Sequence, residues 1–237
     1  MNYLMILLVA LVVAVPSRAI TLEEILANHI AARGGRETIT KIRSMKVVGT
    51  METMGGELSF TQYFKNNTKM RMDMSVQGME IVQAYDGVQA WGTNPMSGGS
   101  PQLGGEAEAN QAASQANIWG ELIDPTDQGL TLEYVGAEDI DGMTAHLIKV
   151  TNVNKESHLV YIDAITWLEV KRTITMAMMG QEAEMEMYLS NYKDIGGVQY
   201  PMQMDMEMDG QSVMSMKRES VEVNIDIPDS LFAYPGN

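Results

Sequence analysis

From residue 46 to residue 92, apolar and polar side chains alternate with period two, and short turn signals divide the run. Such alternation belongs to half-buried strands, whose side chains point to opposite faces in turn. Strands are predicted over 46–53, 57–65, 69–76, 80–85 and 88–92, with breaks at Gly55-Gly56, Asn66-Asn67 and Asp86-Gly87. The pattern resumes over 130–135, 144–151, 158–163, 168–178, 182–192, 198–206 and 212–225. Short strands joined by short turns predict an up-and-down antiparallel sheet of roughly ten to twelve strands.

Two stretches keep a different period. Thr21 followed by Glu24 has capping-box spacing, and Leu22, Ile25, Leu26 and Ile30 share one helical face before Gly34-Gly35 ends it. The sheet is interrupted over 93–129. Residues 94–105, rich in Gly, Ser and Pro, read as a mobile loop. Residues 106–123, alanine-rich and ending in Ile118, Trp119, Leu122 and Ile123, read as a helix stopped by Asp124-Pro125. A long insertion carrying an amphipathic helix predicts a lid, with Trp119 and Leu122 on it.

Methionine changes the picture of the strands. The chain has 22, mostly at alternate strand positions. Met70, Met72 and Met74 share one parity; Met185 and Met187 alternate with glutamates; Met202, Met204, Met206 and Met208 alternate with Gln203, Asp205 and Glu207. Leu168, Val170, Arg172, Ile174, Met176 and Met178 form a further row, and Met214 and Met216 follow. A three-residue loop over 208–210 would pair Met204 with Met214 and Met202 with Met216 and keep the faces consistent. Thioether side chains pack adaptably and specify packing poorly. The shared face therefore reads either as a plain core or as the lining of an adaptable site for an apolar ligand. A copper(I) site is a third reading, since thioethers are soft ligands, but whole-strand alternation spreads the sulfurs along a surface.

Arg172 falls on the apolar parity, so it needs a lid carboxylate or carbonyl, a ligand headgroup, or a snorkelling route to water. Glu182, Glu184, Glu186, Asp205 and Glu207 read as a solvated outer face, with Glu184 expected near Asp205.

Composition narrows the functional classes. The length, 237 residues, suits one domain. There is no cysteine, hence no disulfide, thiolate metal site or thiol nucleophile. A net charge of -15 makes nucleic acid a poor partner. The apolar run over 4–15, followed by Pro16-Ser17-Arg18-Ala19, reads as a signal peptide covering 1–19. The expected location is the periplasm, or outside the cell where there is no outer membrane. No nucleophile elbow, zincin helix, phosphate loop or dinucleotide fingerprint is present, and His29, His146 and His158 lack metal-ligand spacing. No enzyme activity, cofactor or metal is expected.

The order of several short motifs resembles the outer-membrane lipoprotein-sorting family, the LolA/LolB-like proteins. Ala32-Arg33-Gly34-Gly35 ends the first helix, Ile42 follows, and Val47-Val48-Gly49-Thr50 lies in the first strand. Tyr85-Asp86-Gly87 leads to Trp91, and Tyr161-Ile162-Asp163 precedes Thr166 and Leu168. The segment from Tyr192 through Gly196-Gly197 to Pro201 and the ending Ile227-Pro228-Asp229-Ser230-Leu231-Phe232 complete the likeness. The resemblance implies one domain over 20–237, a half-open antiparallel β-barrel whose apolar concave face is covered by helices. It also implies a carrier for a lipid or lipoprotein acyl chain, with envelope membrane proteins as further partners. On that view Met72, Met74, Met176, Met178, Met185, Met187, Met204 and Met206 line the cavity, together with the rest of their rows. The alternative within the same fold is an envelope sensor or interaction domain with a filled core. The heavy use of methionine departs from what a dedicated carrier would be expected to use, aromatics and leucine.

Overall fold

The computed structural model describes residues 19–236 apart from 77, 96–97 and 179–180, and it leaves out the side chains of 76, 176–178, 181 and 182. Residues 1–18, which hold almost all of the expected signal peptide, lie outside the described residues. Helix α1 (Leu22–Ala32) begins with the predicted capping box: the Glu24 N–H donates to Thr21 Oγ1 at 3.2 Å, and the Thr21 N–H donates to the Glu24 carboxylate at 2.9 Å. A short helix α2 (Arg36–Thr40) follows Gly34-Gly35.

Thirteen strands form one open antiparallel sheet. The first six are β1 (Ser44–Thr53), β2 (Gly56–Lys65), β3 (Lys69–Val76), β4 (Met79–Tyr85), β5 (Ala90–Gly92) and β6 (Gln102–Leu103). The last seven are β7 (Thr131–Ile140), β8 (Met143–Thr151), β9 (Ser157–Asp163), β10 (Glu169–Met178), β11 (Gln181–Ile195), β12 (Val198–Met208) and β13 (Gln211–Val223). The spatial order is β6-β5-β4-β3-β2-β1-β13-β12-β11-β10-β9-β8-β7. Two meanders thus meet where β1 pairs with β13, and the free edges are β6 and β7. The half-open antiparallel architecture is as expected. The extra strand is β6, which pairs with β5 inside the stretch predicted to be a loop.

The chain must travel from one edge, β6, to the other, β7, and it does so across the concave face. Helix α3 (Glu106–Gln115) lies against β3–β5. Beyond it Ala116 joins the core over β1–β3, Ile123 packs with Ile39, Ile42 and Val198, and Leu122 packs with Ile25, Ile148 and Val160. A 3₁₀ turn (Pro125–Gln128) then reaches β7. The helix was expected to continue to residue 123, but it stops at Gln115. The Asn117 side chain accepts from the Trp119 and Gly120 N–H groups at 3.1 Å each, offering the backbone a local alternative to the helix.

Single-residue bulges decide which side chains face inward. The β12–β13 hairpin closes with a two-residue turn, Asp209-Gly210, both at positive φ (52° and 72°), with Met208 opposite Gln211. The predicted three-residue loop is therefore corrected. A register shift after Met206 leaves Val213 as the extra residue and pairs Met206 with Met214 and Met204 with Met216. The methionines still share a face. The acidic rows move too: Glu186 lies opposite Glu207 and Asp205 opposite Tyr188, so Glu184 is not Asp205's neighbour. A second shift, between Val48 and Gly49, keeps Met216, Arg218, Val221 and Val223 all toward the concave side. A third, between Glu169 and Lys171, pairs Glu169 with Ile162 and Arg172 with Val160.

On the convex side the C-terminal tail is strapped to β2–β5. Phe232 is fully buried and its carbonyl accepts from Trp91 Nε1 at 2.8 Å, while Asp229 pairs with Lys65 and Lys69. At the other end of the sheet Gly34 docks α1 on the β11–β12 turn. Its φ is 114°, and a Cβ there would sit 2.0 Å from the Gly197 carbonyl oxygen. Both the backbone conformation and the contact exclude a side chain. Gly34→Ala is expected to lower the unfolding free energy by about 1–3 kcal/mol, read by urea denaturation. An unchanged midpoint would show that this docking adds nothing to stability.

Candidate functional site

Methionine lines the concave face on both sides of the β1–β13 seam. Strands β1–β3 supply Met45, Val47, Phe60, Phe64, Met70 and Met72, all buried against Ala116. Strands β11–β13 supply thioethers in lateral rows: Met187 beside Met206 beside Met214, and Leu189 beside Met204 beside Met216. Met185, Met202, Met206 and Met216 are buried, whereas Met74, Met187, Met204 and Met214 are half-buried. These four are thioethers of the apolar face that the crossing segment leaves partly exposed. Two surface depressions lie elsewhere, one between α1 and Trp167, the other on the outer side around Val48, Asp73 and Glu80.

The remaining predicted positions distribute as follows. Ile174 faces inward opposite Met185 and is half-buried. Met176 and Met178 belong to β10, but their side chains lie outside the described residues. Leu168 and Val170, both half-buried, do not continue the row of Arg172, because the bulge brings Glu169 onto that row instead. Trp119 and Leu122 sit in the irregular part of the crossing segment. Leu122 is buried, and Trp119 is held at both ends of its ring and backbone: its Nε1 donates to the Ile42 carbonyl at 3.0 Å and its N–H donates to Asn67 Oδ1 at 3.2 Å.

Beneath this segment lies a charged cluster that the sequence reading identified only through Arg172. The Arg172 guanidinium donates to both oxygens of Glu169 at 2.6 and 2.8 Å, and its Nη1 lies 3.2 Å from Glu121 of the crossing segment. His158 Nε2 contacts the same Glu121 oxygen at 2.9 Å. Burial alone would lower the pKa of Arg172, but Glu169 and Glu121 outweigh it and hold the group above its ordinary value. Burial would likewise raise Glu121, yet Arg172 and His158 leave it below the usual carboxylate range. Arg33, at the end of α1, donates to the Trp119 carbonyl at 2.6 Å, and its pKa is lowered by burial. Tyr192 donates to the Glu169 carbonyl at 2.7 Å, its phenol pushed up by burial and by that carboxylate. Glu121 and Glu169 carried no sequence signal, since the insertion and the bulge hide their side of the sheet, while Arg33 and Tyr192 stood in the family-like motifs with no role read for them.

The outer side is less solvated than the acid-rich pattern implied. Lys171 is buried there between the Tyr161 and Tyr188 rings, 5.0 and 5.4 Å from their centroids, and pairs with Glu186. No group of three or more His, Asp or Glu side chains able to hold a metal occurs among the described residues. No helix among them is long and apolar enough to cross a membrane.

No family model matches the chain, and no curated protein matches its sequence. Solved structures do match its fold. A LolA superfamily protein from Nitrosomonas europaea superposes with TM-score 0.61 at 16% identity, over 91% of this chain and 98% of that one. A DUF1329 family protein from Desulfovibrio piger gives 0.61 at 10% identity, over 91% and 98%. A protein domain from Vibrio parahaemolyticus described as outer-membrane lipoprotein-sorting gives 0.57 at 10% identity, over 88% and 94%. The fold is therefore LolA-like, as the order of the motifs implied.

Two predictions come from the cluster. His29, only 2% exposed, places Nδ1 2.8 Å from the Trp167 carbonyl oxygen, and burial followed by the nearby Arg33 lowers its pKa from 6.5 to about 4. Between those values the unfolded chain holds the extra proton and the folded chain does not. Stability is thus fully present above pH 6.5 and declines as the pH falls toward 4. The loss should reach about 3 kcal/mol by pH 4. In urea titrations His29→Gln, which keeps a donor, should flatten that slope; an equal slope would remove His29 as its source. Glu121→Gln should speed amide exchange at 117–123 by about tenfold or more while leaving β12 and β13 unchanged. Uniform protection would mean that the Glu121 contacts do not hold the segment.

Proposed function

We propose that the protein is a non-enzymatic carrier or chaperone that holds a lipid or lipoprotein acyl chain against the methionine rows of the concave face. It would serve outer-membrane lipoprotein sorting or lipid transport in the periplasm. The observation that carries the proposal is the group of half-buried thioethers, Met74, Met187, Met204 and Met214, on the inner side of an open sheet. Unbranched, polarisable side chains re-pack around a flexible apolar guest at little cost. Each methylene removed from water contributes roughly 0.8 kcal/mol, so a single long chain is held without covalent chemistry. The LolA-superfamily and lipoprotein-sorting neighbours share the architecture and support the same reading.

The segment over 116–123 covers this face and is pinned at Trp119 and Glu121. A second reading, an envelope sensor or interaction domain with a filled interior, draws on the deep burial of Met45, Met70 and Met202. Native mass spectrometry of the protein taken from its own envelope fraction, with lipid extraction, separates the two. The carrier should retain a discrete acyl adduct, and the double variant Met204→Glu, Met214→Glu should lose it while keeping the wild-type circular-dichroism spectrum. A clean unliganded mass, unaltered by incubation with lipid or lipoprotein, would favour the filled interior.

A further inference from the structure

Three arginines point into the concave face, and they are not equivalently satisfied. Arg172 faces two carboxylates, Glu169 and Glu121. Arg33 donates to the Trp119 carbonyl and lies in the field of Glu169. Arg218 pairs with no carboxylate among the described residues. It stands opposite Gly49 on the row of Met214 and Met216, and its guanidinium stacks over Tyr200 at 4.7 Å. A guanidinium has five N–H donors. Among the described residues those of Arg218 find two acceptors, the Pro201 carbonyl oxygen at 2.5 Å and the Met204 sulfur at 2.8 Å. A thioether is a weak acceptor. The Nε of Arg218 is buried with no acceptor among the described residues. An inward cation with unmet donors is costly unless an anion completes it.

The surroundings indicate what that anion is attached to. The pairs Met204 with Met216 and Met206 with Met214 lead away from Arg218 toward the β12–β13 turn. From the level of Arg218 to that of Met214 the rows run about 14 Å at the rise of a strand. Charge stands at one end of this track and thioether along its length. We propose that Arg218 binds the acidic headgroup, a carboxylate or phosphate, of an amphiphile whose alkyl chain lies along Met204, Met206, Met214 and Met216. This rests on the carrier reading and narrows it from any acyl chain to an anionic amphiphile. The planar fork of arginine suits such an oxyanion bidentately, as a lysine would not.

The test uses the full chain and two probes of equal length, decanoate and decanol, titrated by calorimetry, with inorganic phosphate as competitor. Wild type should bind decanoate at least about tenfold more tightly than decanol. Arg218→Gln should bring decanoate down to the level of decanol and leave decanol unchanged, and Arg218→Lys should recover only part of the difference. Phosphate that displaces decanoate would place the anion site within reach of free oxyanions; phosphate without effect would tie the site to the tailed ligand. Should Arg218→Gln fail to fold, Arg218→Lys decides: a reduced decanoate preference supports the site, and an undiminished one overturns it. Equal affinity for acid and alcohol in wild type overturns the headgroup site and leaves the carrier standing. Binding of neither probe removes both.

Discussion

The pairing of β1 with β13 governs everything else in this molecule. Because the first strand of the sheet hydrogen-bonds to the last, two meanders are laid side by side with their free edges outermost, at β6 and β7. Those edges are consecutive in the chain. The connection must therefore span the whole width of the sheet, and a curved sheet offers its concave side as the short route. The crossing segment consequently brings Ala116, Leu122 and Ile123 into three different core clusters. What the sequence presents as an insertion is, by topology, part of the interior.

The same constraint explains where charges had to be buried. A segment without regular structure that crosses an apolar face carries backbone groups that need partners. The Trp119 carbonyl takes Arg33, Gln128 Nε2 donates to the Ile123 carbonyl at 2.5 Å, and Asn117 serves the Trp119 and Gly120 amides. Arg172 and Glu121 then join sheet to segment as an ion pair completed by Glu169 and His158. Removing one partner of such a group costs about 3–5 kcal/mol, whereas the intact group adds little net stability. Its effect is to fix one position of the segment over the sheet.

Strands were readable because their side chains obey a period of two, and the capping box of α1 was readable because it is local. Bulges were not. Counting by twos placed Leu168 and Val170 with Arg172, and one extra residue at Val170 moved Glu169 there instead. At the β12–β13 turn the opposite happened: a bulge at Val213 restored the shared methionine face that a two-residue turn alone would have broken. A single-residue slip reverses every side chain beyond it and leaves no compositional mark. Arg218 was within reach of parity, since it continues the row of Met214 and Met216 just as Arg172 precedes Ile174. The crossing segment was not, because nothing in residues 104–130 encodes that β1 and β13 pair.

The distribution of side chains also bears on how the concave face is reached. Over β1–β3 the inner positions hold Val47, Phe60 and Phe64 beside Met45, Met70 and Met72, all packed with Ala116 and Ile118. Over β11–β13 they hold methionine almost throughout, and Met187, Met204 and Met214 among them are half-buried. Raising the crossing segment means separating Glu121 from Arg172 and exposing Leu122 and Ile123, two apolar side chains worth about 1.5–3 kcal/mol each in burial. Sliding between methionines at the hairpin end breaks no ion pair and needs only changes of rotamer, a fraction of that cost. On the carrier reading the cheaper path therefore enters along the β12–β13 rows, with the latched segment as the floor against which a guest would rest rather than the door it would use.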